Sequence, residues 1–246
     1  MKEKVLKMLS QREMSFEELE RGIEGKGIAP ALKEMQRSGL VFLNDNQNYA
    51  ITLLGKIWIL GLKDTYKAIA EQKDLFEFFK TRVPSLMPDE LLSTFNFCND
   101  LQIIGKPDLR ERKKEIINKV FGVQPMVKKE FYISAPDFYR SNLMHIVAVL
   151  KEKPKIHILY PEEEYEKAST FIKVAQKFTR IKVKVIDPKD QYMGLVYING
   201  KFSLFGFRTI ENKPGWDALI STKDKECIEW VKENFDYMWD NLARKP

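Results

Sequence analysis

Apolar residues recur at helical spacing in three short segments within the first 40 residues. The second segment begins at Ser15, three residues before Glu18, which is the spacing of a capping box. The third segment has its apolar face at Ile28, Leu32 and Met35. Because Pro30 fits the first turn of that helix and Gly39 ends it, the pattern predicts three consecutive helices.

Two β-prone runs follow the third helix, LVFL and NYAIT, with the polar residues NDNQ between them. Asn and Asp tolerate the backbone conformations that the tip of a hairpin requires. The first 52 residues therefore predict the order helix, helix, helix, strand, strand.

Long apolar stripes continue from Thr52 to Arg82 and predict one or two helices with a break near Gly61. Another helix is expected to start at Pro88, and a basic helix over residues 108–121. Its mixed charges favour a solvated face, with an auxiliary phosphate-contacting surface as the alternative.

After about residue 126 strands and helices alternate. The strand runs are KEFYISAP, KIHILYP and IKVKVID, and helical patterns separate them. This β-α-β-α-β order favours an α/β domain with parallel strands. Asn199-Gly200 then predicts a hairpin, WDALIST a further strand, and the last 20 or so residues an amphipathic helix.

Composition allows a real core, since 44% of the 246 residues are hydrophobic. No run of about 18 apolar residues occurs, and charges interrupt the N-terminal segment. We therefore expect no membrane span and no signal peptide, and a cytoplasmic location. The net charge of +6 fits an anionic partner, yet the first 60 residues carry nine Lys/Arg against eight Asp/Glu.

Histidine and cysteine residues offer little chemistry. His145 and His157 have apolar neighbours and no second histidine nearby, so packing or capping explains them better than metal binding. Cys98 and Cys227 are far apart, form no CxxC pair, and are interpreted as small apolar residues, with a redox pair as the alternative.

The densest carboxylate cluster, Glu162, Glu163, Glu164 and Glu166, follows a strand and Pro161. Acidic side chains in a first helical turn complement the helix dipole, and a metal or acid–base role is the alternative. We therefore expect no catalytic residue, no metal and no cofactor.

The stretch ALKEMQRSGLVFLNDNQNYAITLLGKIW resembles the winged helix-turn-helix of many bacterial and archaeal regulators. In that family the third helix enters the major groove and the wing touches the DNA backbone or minor groove. The resemblance implies a wing tip from Asn44 to Asn48. It implies a DNA-binding set of Lys26, Ile28, Ala29, Lys33, Arg37, Asn46, Gln47 and Asn48.

The remainder resembles archaeal regulators in which a winged helix precedes the middle domain of the methanogenesis regulator family. The matching pieces are FFKTRVPSLMPDELLSTF, FYISAPDFY, GLVYINGKFSLFGF and WDALISTKDKECIEWVKENFDYMW. Members resemble the phospholipase D fold, whose catalytic motif needs His-x-Lys. Both histidines here lack it, reading HIV and HIL, so the resemblance implies a fold reused for sensing or dimerisation.

The expected fold class is α+β, in three parts. Residues 1–60 form a winged helix DNA-binding domain, and residues 61–125 a helical linker that aids dimerisation. Residues 126–246 form an α/β domain with a mixed sheet, which senses an effector or assembles the dimer.

The expected function is a sequence-specific DNA-binding transcriptional regulator that acts as a homodimer and is not an enzyme. Its partners are double-stranded promoter DNA and, as a further expectation, the transcription machinery. The alternatives are a phospholipase D-like phosphodiesterase and a winged-helix scaffold that binds transcription proteins. An effector pocket is assigned to aromatic and basic residues near strand ends, with core packing as the alternative for the aromatic ones: Tyr160, Tyr192, Phe207, Arg208 and Trp216.

Overall fold

The computed structural model describes residues 1–23, 27–84, 86–95, 101–104, 130–134, 155–178, 180–211 and 219–246. The chain divides into two compact units. The N-terminal unit comprises Met1–Phe97 and Phe207–Lys213, and the C-terminal unit comprises Cys98–Gly206 and Pro214–Pro246. The division into residues 1–60, 61–125 and 126–246 stays a prediction about domains.

The N-terminal unit opens with the predicted order of elements. Three helices come first, α1 (Lys2–Leu9), α2 (Phe16–Gly22) and α3 (Ile28–Arg37). The antiparallel strands β1 (Val41–Leu43) and β2 (Tyr49–Ile51) form the wing, and α4 (Leu53–Ile59) follows. The order helix, helix, helix, strand, strand that the hydrophobic pattern predicted is therefore confirmed, and so is the winged helix that the resemblance implied.

Local side-chain caps fix where these helices begin. Ser15 Oγ accepts from the Glu18 N–H, and the Glu18 carboxylate accepts from the Ser15 N–H at 2.8 Å, which confirms the capping box. Thr52 caps α4, since its Oγ1 accepts from the Gly55 N–H at 3.0 Å and donates to the Gly39 carbonyl at 2.6 Å. Thr52 thus ties the end of the wing to the end of α3.

Three further helices continue the N-terminal unit, α5 (Lys63–Ala70), α6 (Lys73–Lys80) and α7 (Asp89–Ser93). Thr52–Arg82 thus contains three helices, α4, α5 and α6, where one or two were predicted, and α7 begins directly after Pro88, as predicted. The chain breaks between α4 and α5 at Gly61, which has a left-handed φ of 82°. The basic helix predicted over residues 108–121 lies outside the described residues.

A segment from late in the sequence completes the N-terminal unit. The Val83 N–H donates to the Arg208 carbonyl at 3.0 Å, and the Ile210 N–H donates to the Thr81 carbonyl at the same distance. The Phe207 ring lies 6.0 Å from the Phe79 ring. Phe207–Lys213 therefore belongs to the same packed unit as the winged helix.

The C-terminal unit is built on a seven-stranded mixed sheet with the order β3-β9-β8-β7-β4-β5-β6. The strands are β3 (Gln102–Ile104), β4 (Glu130–Ser134), β5 (Lys155–Pro161), β6 (Arg180–Ile186), β7 (Met193–Ile198), β8 (Phe202–Phe207) and β9 (Leu219–Thr222). β4, β5 and β6 are parallel, as predicted, and β4 pairs antiparallel with β7. The prediction of an α+β chain with a mixed sheet is confirmed.

Two features of the sheet differ in how well the sequence pattern predicted them. The Asn199-Gly200 hairpin is confirmed, with φ values of 52° and 63° and a Lys201 N–H to Ile198 carbonyl bond of 3.0 Å. β3 lies in the segment predicted as a helical linker, and its three residues are too few to show an alternating pattern.

Helices cover both faces of the sheet. On one face, α8 (Glu162–Phe178) contributes Ile172 to a core that includes Phe131, Ile156 and Leu204. On the other face, α9 (Lys225–Tyr237) packs Phe235 against Tyr132 and Trp230 against Phe205. The chain then continues as a π-helical turn, Met238–Leu242.

Two observations complete the description. Cys227 lies buried on α9, as its interpretation as a small apolar residue predicted, but it is also part of a disulfide, which was not predicted. No local spacing signals this bond, because the two cysteines of the sequence lie far apart and form no CxxC pair. In the parts of the chain that the structure describes, no helix is long and apolar enough to cross a membrane.

Candidate nucleic-acid interface

The third helix of the winged helix separates sharply into a buried face and an exposed face. Ile28, Leu32 and Met35 are each 2% exposed or less and pack into the core of the N-terminal unit. Lys33 and Arg37 lie one turn apart on the exposed face. Within the described ranges neither cation has a carboxylate at ion-pair distance, so both are available to an anionic partner.

The exposed face of α3 is not purely basic. Glu34 lies beside Lys33, and its carboxylate accepts from Lys2 Nζ of α1 at 2.5 Å. Both side chains of this pair are well exposed, so the pair contributes little to stability. The ammonium group of Lys2 partly compensates the negative charge of Glu34, at the edge of the exposed face of α3 that lies towards α1.

The wing tip is an ordered loop. The Asn44 side-chain carbonyl accepts from the Asn46 and Asn48 N–H groups at 3.1 and 2.9 Å, and its amide donates to the Glu13 carboxylate at 2.6 Å. Gln47 adopts a left-handed φ of 61°. The tip therefore presents Asn46 and Gln47 to solvent from a fixed backbone.

The turn between α1 and α2 supports the wing from its other side. Met14 and Tyr49 form an antiparallel bridge, with N–H to carbonyl distances of 3.1 and 2.8 Å. The neighbouring Glu18 carboxyl has its pKa lowered, chiefly by the hydrogen bond from Arg12 and then by the Ser15 N–H. These contacts connect the wing to the beginning of α2, so the wing and the helices form one body.

The predicted DNA-binding residues divide into three groups. Ala29, Lys33 and Arg37 lie exposed on α3, and Asn46 and Gln47 lie exposed at the wing tip, while Asn48 is half-buried. Ile28 is corrected: its side chain packs in the core, because it shares the helical face of Leu32 and Met35. Lys26 lies outside the described residues.

The predicted DNA-binding set omits four exposed residues of α3 and the wing tip, which are Pro30, Glu34, Gln36 and Asp45. Pro30 lies on the same face of α3 as Lys33, three residues away. The helical spacing of the buried residues would have placed Pro30 and Glu34 there, since the exposed face is opposite the apolar one.

The predicted effector pocket is not assembled by the described residues. Tyr160 lies in the sheet core, and Tyr192 donates a hydrogen bond to the Asn234 side-chain oxygen at 3.2 Å, both in the C-terminal unit. Phe207 and Arg208 belong to the N-terminal unit. The three rings are 1–2% exposed, so the assignment to a pocket is corrected in favour of core packing. Trp216 lies outside the described residues.

A titratable cluster lies on the α9 face of the sheet. The His157 ring stacks on Trp239, with ring centres 5.2 Å apart, and meets the edge of Tyr132 at 4.9 Å. Burial, and then the charge of Lys182, lowers the pKa of His157. The packing interpretation of His157 is confirmed, and His145 lies outside the described residues.

The acidic cluster at the start of α8 also has a structural explanation. Glu162, Glu163 and Glu164 occupy the first turn of α8, directly after the last residue of β5. Glu162 forms an ion pair with Arg244. Among the described residues no group of three or more His, Cys, Asp or Glu side chains could hold a metal ion.

Comparisons with known proteins add two structural similarities. TrmBL2, described as an archaeal chromatin protein with a novel mode of DNA binding, is 14% identical, with a TM-score of 0.46, over 99% of this chain and 92% of its own. NucT from Helicobacter pylori is 16% identical, with a TM-score of 0.41, over 60% of this chain and 99% of its own. No family model and no curated protein matches the sequence. With identities of 14–16% and TM-scores below 0.5, these similarities assign no function to any residue.

Proposed function

We propose that this chain is a sequence-specific DNA-binding transcriptional regulator that reads DNA through α3 and the wing. The observation that carries the proposal is the exposed face of α3. Lys33 and Arg37 project from a helix whose opposite face is buried in the core, and the wing of the same unit is ordered. An α-helix of this kind fits the major groove, where cations contact phosphates and guanine edges.

We further propose that the protein acts as a homodimer. One α3 offers only two exposed cations in its described part, Lys33 and Arg37, which is few for a stable complex at physiological salt. Two copies double the number of phosphate contacts and match a two-fold operator with half-sites about one helical turn apart. The C-terminal unit is the proposed place of assembly or of effector sensing.

The proposal excludes phosphodiester hydrolysis by the phospholipase D mechanism. The two histidines of the sequence are followed by Ile-Val and Ile-Leu, so neither belongs to a His-x-Lys motif. His157 is moreover enclosed by the rings of Trp239 and Tyr132. A phosphodiesterase assay with generic substrates, expected to show no turnover, tests this part of the proposal.

One observation favours a second candidate, a winged-helix scaffold that binds a transcription protein. Glu34 on α3 and Asp45 at the wing tip are two exposed carboxylates in the same winged helix as Lys33 and Arg37. Carboxylates repel the DNA backbone, whereas a protein partner can pair with charges of both signs. The two candidates differ in their response to salt, because only DNA binding releases the counterions condensed on DNA.

The decisive experiment is a footprint on DNA from the upstream regions of the gene and its neighbours, with wild type and with Lys33→Glu/Arg37→Glu. Protection of two half-sites is expected for wild type and loss of protection for the double variant. The matched control is Lys63→Glu/Lys67→Glu, which reverses two exposed lysines at the same spacing on α5 and should keep the footprint. Equal protection by all three proteins would remove α3 from the proposal.

A salt titration of the same complex supplies a second readout. The logarithm of the binding constant should fall linearly with the logarithm of salt concentration, with a slope of about −0.9 per phosphate contact. A complex that is insensitive to salt would favour the scaffold candidate.

A further inference from the structure

The leading turn of α3 differs chemically from the rest of its exposed face. Ala29 and Pro30 are exposed there, directly after the buried Ile28. Neither side chain carries a hydrogen-bond donor or acceptor, and Pro30 also lacks a backbone N–H. The next turn begins the polar part of the face with Lys33.

The major groove offers one apolar feature that distinguishes base pairs. Each base edge presents donors and acceptors, and thymine alone adds a C5-methyl group. Side chains without polar atoms cannot read the donors and acceptors, so among the side-chain contacts of the leading turn only one with the methyl group can distinguish base pairs. The methyl group of Ala29 and the ring of Pro30 are the surfaces that could meet it.

We propose that the leading turn of α3 recognises thymine methyl groups through Ala29 and Pro30. The inference rests on the proposed function, since it assumes that α3 enters the major groove. It assigns A·T pairs, with thymine facing α3, to the operator positions beneath this turn. Lys33 and Arg37 lie one and two turns further along α3, and they contact the phosphates or base edges beneath those turns.

The test replaces thymine by deoxyuridine, one position at a time, within the operator that the footprint defines. This change removes only the C5-methyl group and keeps every hydrogen-bonding group of the base pair. Wild type should lose about fourfold in affinity at one or two positions, the equilibrium equivalent of one methyl group left in water. The measurement is a binding titration for each duplex.

Two glycine variants show whether α3 is responsible. Ala29→Gly should bind the thymine and deoxyuridine duplexes equally at the position that Ala29 contacts, because its methyl group is gone, whereas a position beneath the Pro30 ring should keep its preference. Ala31→Gly is the matched control: it has the same intrinsic helix cost, but Ala31 is half-buried and lies on another side of the same turn. It should keep the fourfold preference, and circular dichroism checks that both variants fold.

The outcomes separate this inference from the proposed function. If wild type binds every substituted duplex as tightly as the unsubstituted one, the thymine contact is wrong, while a footprint abolished by Lys33→Glu/Arg37→Glu still supports DNA binding. The same holds if Ala29→Gly retains the preference at every sensitive position. If wild type protects no DNA even at low salt, the proposed function fails and the inference fails with it.

Discussion

At the scale of single residues, helical spacing was a better guide than family resemblance. The spacing of Ile28 with Leu32 and Met35 predicted a core position, and the structure buries all three. The resemblance placed Ile28 on DNA as well, which is wrong because one side chain cannot face both core and solvent. Tyr160 and Tyr192 were assigned to a pocket because they lie near strand ends, and at 1% exposure both are core residues.

A residue-scale prediction concerns His157 and pH. Its pKa is lowered below the ordinary value of 6.5 because half-burial disfavours the imidazolium, and because Lys182 repels it. Glu130 and Asp236 act in the opposite direction, and Lys155 adds to the repulsion. The unfolded chain therefore binds a proton at higher pH than the folded chain does. The contribution of neutral His157 to stability is therefore fully present above pH 6.5, and it is lost as the pH falls from there through the folded-state pKa.

The melting temperature, measured from pH 8 to pH 5, tests this sign. Wild type should lose more stability between about pH 7 and pH 5.5 than His157→Gln, which cannot titrate in this range. His157→Gln is expected to start from a lower melting temperature, because it lacks the stacking on Trp239. Two parallel curves would show that His157 does not control the pH dependence.

At the scale of elements, the sequence predicted the helices of the N-terminal unit and the parallel strands because each carries its own periodicity. α3 and the capping box of α2 are local features, and so is the hairpin at Asn199-Gly200. β3 was not predicted, since three residues do not reveal a period and its partner β9 lies more than 100 residues away. Local pattern therefore determined the elements and left their long-range pairing open.

An element-scale prediction concerns the packing of α4 against the wing. A Cβ atom on Gly55 would lie 2.1 Å from the Leu40 carbonyl oxygen and 2.8 Å from Ile51 Cγ1. Because the first contact is backbone, Gly55→Ala should lower the free energy of unfolding by about 3 kcal/mol or more. DNA affinity should fall in parallel, as the wing and α4 move apart.

Gly22→Ala on α2 is the control for this prediction. Its new Cβ would lie 2.3 Å from Met8 Cε, the far end of a flexible side chain that can move away. The gain in helix propensity offsets the shift, so the free energy of unfolding should change by less than about 1 kcal/mol. Urea unfolding measures both variants, and equal losses would contradict the proposed rigidity at Gly55.

At the scale of the whole molecule, the N-terminal unit is discontinuous in sequence. Phe207–Lys213 packs with the winged helix and α6, while the residues before and after it belong to the C-terminal unit. No periodicity signals such a return, because its contacts join residues more than 100 positions apart. Because the return carries no periodic signal, the sequence pattern predicted only domains made of consecutive residues.

A whole-molecule prediction follows from Phe207. Its ring is 2% exposed and meets Phe78 and Phe79 at 6.5 and 6.0 Å, so Phe207→Ala should destabilise the N-terminal unit by about 3–5 kcal/mol. Native-state hydrogen exchange should show this as faster exchange of the α1 and α3 amides. Ile210→Ala, a change at a largely exposed side chain of the same segment, should leave that exchange nearly unchanged. Faster exchange restricted to the sheet would contradict the assignment of Phe207 to the N-terminal unit.

The return of Phe207–Lys213 also has a consequence for protein synthesis. The winged helix is made first, but the aromatic partner of α6 leaves the ribosome only after more than 200 residues have been translated. The N-terminal unit therefore cannot complete its packing on a short nascent chain, and its folding waits for most of the molecule. A chain interrupted during translation lacks the Phe207 side of the core of its N-terminal unit, so under the proposed function such an incomplete product would bind DNA more weakly than the complete chain.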